Sequence, residues 1–403
     1  MEVKKFLNSH HEYLAYTANG CIPLSKCARQ YNKTELLDIV IENTPKLKLD
    51  FNLMMSKSPP TAIINKKLHH ELLHSKNKIN YYRKYFYKYV RLTNPYELVN
   101  TSNSKYSVLD CNVLNRAYFK LWEIFTHIPD ILLDKDMTYI ALAEGPGGFI
   151  QSFQAKRKDY NDSIYAITLK DHHDMDFSEG LTDINITYGD VTNSECILKF
   201  VNKVSNKAHL ITADGGIGVP NKYLNHQESY HIKLFFAEIL LALRLQEIGG
   251  TFVLKMYDLF TLPSLQLIYI LSQYYEQIHI TKPVTSRPAN SEKYIICKGF
   301  KGIKDSIIRK IFKCIQIINQ QNNYFIHSFI DNPVPSIVLD SVNEYHSLIV
   351  PYQIKNIEKT LTFAANNITN KTKIINKQKQ IAICWAKKHN IPVKKKYEEY
   401  LNV

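Results

Sequence analysis

Short apolar runs alternate with stretches in which apolar residues recur every three or four positions, and the alternation is concentrated between about Val108 and Phe300. Runs rich in β-branched and aromatic residues predict strands, and the helical-period segments between them predict the crossovers of a mostly parallel sheet covered on both faces. The predicted strands are MTYIAL (137–142), SIYAIT (163–168), INITY (184–188), HLITA (209–213), GTFVLKMY (250–257), QIHITKP (277–283) and KYIICKG (293–299). Only the nine residues from Val284 to Glu292 join the last two, too few for a helical crossover, so these two strands are expected to form an antiparallel hairpin. The pattern predicts an α/β domain over 106–303 with a seven-strand, mostly parallel sheet, flanked by helical regions over 1–105 and 304–403. Pro333 and Pro335 mark a turn in the second flank.

Composition narrows the picture in two ways. An apolar fraction of 45% is that of a folded chain rather than a disordered one, so a sizeable core is expected. Seven cysteines without a CxxC pair fit neither a disulfide framework nor a four-ligand zinc site, and imply a reducing compartment. The N-terminus lacks a signal-like apolar stretch, and the most apolar run, Ile239 to Leu243, is too short to span a bilayer. The expectation is a protein of the cell interior, in the host cytoplasm or virion for a viral source and in the nucleus for a cellular one, with no membrane partner. The histidine pairs His69-His70 and His172-His173 have no cysteine partners nearby, and no metal is expected.

Charge adds a candidate partner. Lys and Arg number 51 against 37 Asp and Glu, a net +14, which attracts polyanions unless the excess is evenly scattered. From Lys66 to Arg91 eight basic residues face one acid, with Tyr81, Tyr82, Tyr85, Phe86, Tyr87 and Tyr89 interleaved. Such a segment reads either as an RNA-contacting surface or as an amphipathic helix whose aromatics pack inward. A second tract, Lys355 to Lys396, holds eleven basic residues and one acid, and reads either as a binding surface or as a solvated face.

The sharpest local feature is Ala143-Glu144-Gly145-Pro146-Gly147-Gly148-Phe149, a small-residue turn between an apolar strand and a helix-compatible run. Glycines there let the backbone bend tightly and present N–H groups to an anionic part of a ligand. The spelling is neither G-x-G-x-x-G nor a P-loop, which disfavours dinucleotide and nucleotide-phosphate binding. An acid at Glu144 suits a ligand carrying both an ammonium and a carboxylate.

Four segments then resemble one family in order. AEGPGGF (143–149), ITADGG (211–216), GGTFVLKMYDLF (249–260) and SRPANSEKYIICKGF (286–300) resemble the FtsJ-like ribose methyltransferases, especially the mRNA cap 2′-O branch found in eukaryotes and large DNA viruses. NRAYFKLWE (115–123) resembles the helix that opens that domain, and the resemblance covers about 108–302. It implies a Rossmann-like S-adenosylmethionine methyltransferase fold, S-adenosyl-L-methionine as cofactor, capped RNA as substrate and capping-apparatus proteins as partners.

The resemblance also implies a Lys-Asp-Lys-Glu tetrad at Lys120, Asp214, Lys255 and Glu292. Glu144, Gly145, Pro146, Gly147, Gly148 and Phe149 are expected to cradle the methionine moiety, Asp190 to meet the adenine amino group and Asp214 to lie near the sulfonium. Asp171 reads either as a ribose contact or as a solvated loop acid. The chemistry has an independent rationale: a ribose hydroxyl is a poor nucleophile at neutral pH and needs a base, and lysine becomes one only when its pKa is lowered from about 10.4. Lys255 is the expected base, with Lys120 lowering its pKa and the two carboxylates orienting the pair. Open alternatives are an idle RNA-binding subunit of the same fold, a ribosomal or transfer RNA substrate, and a nicotinamide dehydrogenase.

Overall fold

The computed structural model describes residues 37–99, 106–170, 181–321, 323–366 and 371–401. Along the chain come β1 (Leu37–Ile41), β2 (Phe51–Ser56), α1 (Lys66–Thr93), α2 (Ala117–His127), β3 (Thr138–Leu142), α3 (Gly148–Lys156), β4 (Ser163–Thr168), β5 (Ile184–Tyr188) and α4 (Ser194–Lys203). Then follow β6 (Ala208–Ala213), α5 (Gln227–Leu245), β7 (Gln246–Tyr257), α6 (Leu262–Tyr274), β8 (Tyr275–Lys282) and β9 (Glu292–Phe300). The chain continues through α7 (Asp305–Gln320), β10 (Phe325–Ile330), α8 (Ser336–Ala365) and α9 (Thr372–His389).

One eight-stranded sheet has the order β1-β8-β9-β7-β6-β3-β4-β5, and β10 pairs with β2 in a separate ribbon. Strands β5, β4, β3, β6 and β7 run parallel, whereas β9 inserts antiparallel between β7 and β8. All seven expected strands are therefore present with their hairpin. Their continuous apolar runs have a simple cause in β3. Tyr139 and Ala141 pack with residues of α2 and α3 on one face, while Ile140 and Leu142 pack with residues of α4, α5, α6 and α7 on the other. A strand buried on both faces loses the polar alternation of a half-exposed one.

The flanks are helical as expected and contribute three short strands as well. Residues 37–41 form β1, which pairs antiparallel with β8 and closes the sheet edge, while β2 and β10 pair across about two thirds of the chain. Each of these strands is only five or six residues long, and its partner is remote, so local periodicity carries little of the signal. The rest of the flanks is helical and shares the core. Leu72, Phe86 and Val90 of α1 pack with Val350, Ile357 and Leu361 of α8 around Phe260. Pro335 precedes α8 directly, as the expected turn requires.

Phe329 of β10 is fully buried and stacks on Phe236 of α5 at a centroid distance of 4.2 Å. If the flank folds with the sheet, Phe329→Ala costs the chain about 3–5 kcal/mol. Urea unfolding monitored by far-UV dichroism is expected to show a single transition shifted to lower denaturant, without a separate early step.

Candidate active site

Ligands bind open α/β sheets at the carboxyl ends of the parallel strands, and the expected residues collect there. Asp214 follows β6 directly, Lys255 lies near the end of β7, and Glu144 lies two residues beyond β3. Because β9 runs the other way, its first residue, Glu292, reaches the same edge opposite Tyr257. Lys120 comes from α2, whose Leu121, Ile124 and Phe125 pack on the sheet while Tyr118, Phe119 and Trp122 pack with α9.

The tetrad forms two ion pairs. Lys120 Nζ lies 2.8 Å from Glu292 Oε1, and Lys255 Nζ lies 3.1 Å from Asp214 Oδ1. Lys255 also donates to the backbone carbonyl of Asp214 at 2.5 Å. Burial would raise the pKa of Glu292, but Lys120, Lys255 and Lys282 hold the carboxyl below the usual range. Lys255 departs from the expected direction. Burial disfavours its charge, yet Asp214, Tyr257 and Glu292 together raise its pKa above the ordinary lysine value. The expected lowering by Lys120 is absent because that cation sits against Glu292, leaving Lys255 beside acidic neighbours.

Several supporting residues escaped the sequence reading. Tyr294 donates its hydroxyl to Asp214 Oδ1 at 2.8 Å, and Ser286 donates to Glu292 Oε1 at 2.8 Å. Strand alternation could have pointed to Tyr294, two residues beyond Glu292 and hence on the same face of β9. Lys282 is buried and donates to Asn290 Oδ1 at 2.8 Å and to the Glu292 carbonyl at 2.7 Å, bracing the β8–β9 loop. Burial pushes its ammonium down to about 7, with Glu292 opposing the shift and Lys293 and Lys120 adding to it. Glu123, one turn beyond Lys120, accepts from the N–H groups of Val284 and Thr285 and from the Trp385 indole, tying α2 to that loop and to α9.

After β7 the backbone turns through two left-handed residues, Asp258 (φ 54°) and Leu259 (φ 96°). Non-glycine residues rarely adopt such angles unless surrounding contacts impose them. Here Lys76 pairs with the Asp258 carboxylate at 3.1 Å and Lys293 donates to the Asp258 carbonyl at 2.9 Å. Glu228 accepts from the backbone N–H groups of Phe260 and Thr261.

The glycine turn has the features of a ligand cradle. Gly147 has φ +111°, and a Cβ there would lie 2.6 Å from Leu181 Cδ1; a Cβ on Gly148 would collide with the Asn115 amide. The Gly145-Pro146 peptide is cis. Helix α3 starts at Gly148, so its first N–H groups face the turn. Glu144 Oε1 accepts from the Phe149 N–H at 3.0 Å, while Oε2 is buried without a hydrogen-bond partner among the described residues. Burial, reinforced by Asp214, raises the Glu144 pKa against the pull of Lys255 and Lys120. A buried carboxylate oxygen without a donor, beside backbone N–H groups, fits an α-amino acid moiety with its ammonium and carboxylate. Phe149 serves this cradle through its N–H, since its ring is fully buried in the core.

Asp190 sits just past β5 at the same edge, exposed, with Oδ1 accepting from the Thr192 N–H and hydroxyl at 2.8 Å. Its hydrogen bonds are thus local. Asp171, His172 and His173 lie outside the described residues. No helix among the described residues is long and apolar enough to cross a membrane.

Asp214→Ala strands a buried ammonium and is expected to cost about 3–5 kcal/mol, whereas Asp214→Ala combined with Lys255→Met costs less than Asp214→Ala alone. Guanidinium titrations of both variants measure the difference. Because folding lowers the Glu292 pKa from 4.5, its contribution to stability is present above about pH 4.5 and fades as pH falls through the lowered value. Glu292→Gln is expected to remove that part of the acid slope.

The FtsJ-like methyltransferase family model matches residues 113–300, the span that supplies the glycine turn and all four charged residues. The chain is 31% identical over 277 residues to the mouse protein named cap-specific mRNA (nucleoside-2'-O-)-methyltransferase 1, covering 62% of this chain and 33% of that one. With the human protein of the same name the identity is 28% over 332 residues, covering 73% and 38%. A Trypanosoma cruzi protein of that name is 31% identical over 185 residues, covering 43% and 51%. This chain therefore spans about a third of the length of the mouse relative. The family match and the geometry agree: residues 113–300 match the FtsJ-like methyltransferase family, and the charged site lies within that span.

Proposed function

We propose that the chain transfers methyl from S-adenosyl-L-methionine to a ribose 2′-hydroxyl of capped mRNA, at the first transcribed nucleotide. The observation that carries this reading is the pairing of Lys255 with Asp214 and of Lys120 with Glu292, beside a glycine turn whose Glu144 has a buried oxygen to spare. The names of the mouse and human relatives support mRNA caps as the substrate class. Capping-apparatus proteins are the partners that such a substrate suggests.

Glu144 would hold the ammonium of the methionine moiety, the N–H groups around Gly148 its carboxylate, and Asp190 the adenine amino group. S-adenosylmethionine supplies an electrophilic methyl on a positively charged sulfonium. Lys255 takes up the hydroxyl proton, and Asp214 fixes the position of its Nζ. Three acidic groups favour the charged form of Lys255. A cation next to Asp214 weakens that preference, so cofactor binding brings the lysine nearer to the neutral form that a base needs. Lys120 and Glu292 neutralise each other and line the far side of the site. Glu238 on α5 is wholly buried, and its pKa is raised by burial and Asp214 against the pull of Lys255.

Labelled methyl transfer to defined capped and uncapped RNAs, followed by nuclease mapping, tests the reading. Label is expected on the 2′-oxygen of the first nucleotide and only with the cap; equal labelling of uncapped structured RNA would sink the cap assignment. Lys255→Ala is expected to lower the rate by about 10²–10⁴ while cofactor binding, read by calorimetry, persists. Since the free enzyme holds Lys255 protonated, kcat/KM for the parent is expected to rise with pH between about 7 and 9, roughly tenfold per unit. A profile flat over that range would exclude Lys255 as the base.

A further inference from the structure

Helix α1 buries only part of its aromatic cluster. Its inward face is Leu72, Ser75, Phe86, Tyr89, Val90 and Thr93, so only two of its six clustered aromatics, Phe86 and Tyr89, are buried. Tyr81 is 86% exposed, Tyr87 64%, Tyr85 49% and Tyr82 36%. The spacing i, i+3, i+4, i+7 puts Tyr81, Lys84, Tyr85 and Lys88 on one face, a stripe in which rings and ammonium groups alternate. Tyr87 lies on its flank. Between Leu72 and Tyr96 the sequence contains no acid.

The stripe is anchored to the site. Lys76 pairs with Asp258, three residues after Lys255. Asn77 accepts from Asn225 at 2.7 Å and Arg83 donates to Asn221 at 2.8 Å, both in the segment that continues from Asp214-Gly215-Gly216. That segment borders the reacting groups, since a Cβ on Gly216 would lie 3.7 Å from Lys255 Nζ. From Asn77 to Tyr87 the helix advances about 15 Å at 1.5 Å per residue. At about 3.4 Å per stacked nucleotide, that length accommodates roughly four.

We propose that the exposed tyrosine and lysine stripe of α1 is a docking surface for single-stranded RNA, holding the transcript body downstream of the nucleotide at the tetrad. The chemistry matches. Exposed rings stack on any base without reading its identity, and interleaved cations neutralise phosphates. A solvated amphipathic helix has no reason to expose four tyrosines within seven residues, and although Glu358 of α8 pairs with Lys78 at one end, the stripe itself carries cations and no acid, which suits a polyanion better than a protein of mixed charge. The proposal rests on the RNA substrate of the proposed function, but its test reads binding and not methyl transfer.

Binding is measured by anisotropy with a labelled, unpaired capped RNA of about 20 nucleotides, and competition with a capped trinucleotide reports on the tetrad site alone. Tyr81→Ala, Tyr85→Ala and Tyr87→Ala combined are expected to weaken the long RNA about tenfold or more and to leave the trinucleotide unchanged. The matching triple phenylalanine variant retains near-parent affinity. Lys84→Gln with Lys88→Gln is expected to reduce the slope of log affinity against log salt by about 1.4, at about 0.7 per phosphate contact in single strands. Unchanged affinity of the alanine triple for the long RNA overturns the proposal. Ring-dependent binding without methyl transfer upholds it and removes only the proposed activity.

Discussion

Removing two lysines and two carboxylates from water at one sheet edge is costly, and the architecture around the site follows from meeting that cost. Desolvating an ion is repaid only when its partner and its remaining hydrogen-bonding capacity are both satisfied. Each carboxylate of the tetrad has an ammonium within about 3 Å and a hydroxyl donor from β9 or the loop before it, Tyr294 for Asp214 and Ser286 for Glu292. Such a network is no more stabilising than an apolar packing of the same volume. Its placement where open sheets bind ligands gives it a chemical purpose instead.

Holding that network requires the flanks. The opening helix of the domain, α2, touches the sheet with one side only; its other side needs α9, and Glu123 joins α2, the β8–β9 loop and Trp385 through three N–H donors. On the opposite side, α1 and α8 enclose the strained turn after β7 through Lys76, Phe260 and His346. The family match ends at residue 300, but the packing that fixes Lys120 and the turn beyond Lys255 comes from residues 66–93, 336–365 and 372–389. The geometry of the charged site is thus a property of a larger unit than the matched span.

This division also explains what the sequence could disclose. Buried parallel strands such as TYIAL and AHLITA announce themselves, because both faces must be apolar, and the glycine turn follows one of them. The four charged residues were legible only through the order of motifs, since a lone Lys or Glu is most often a surface charge. LDIVI and FNLMMS were not legible as sheet members. Their partners, β8 and β10, lie over 200 residues away, and pairing at that distance leaves no local periodicity. Nor was the direction of the Lys255 shift legible, because it depends on which cation each carboxylate faces, and only coordinates pair Lys120 with Glu292.

The same balance of charge accounts for Glu144. Its pKa is raised by burial first and then by Asp214, and Asp214 is also the group that does most to hold Lys255 charged, so one carboxylate acts on both groups. A ligand bringing an ammonium to Glu144 and a second positive charge toward Asp214 relieves both at once, favouring ionised Glu144 and a more readily deprotonated Lys255. A neutral or anionic ligand of similar shape relieves neither. The buried edge therefore favours a ligand with two suitably placed positive charges over a neutral or anionic one of the same shape.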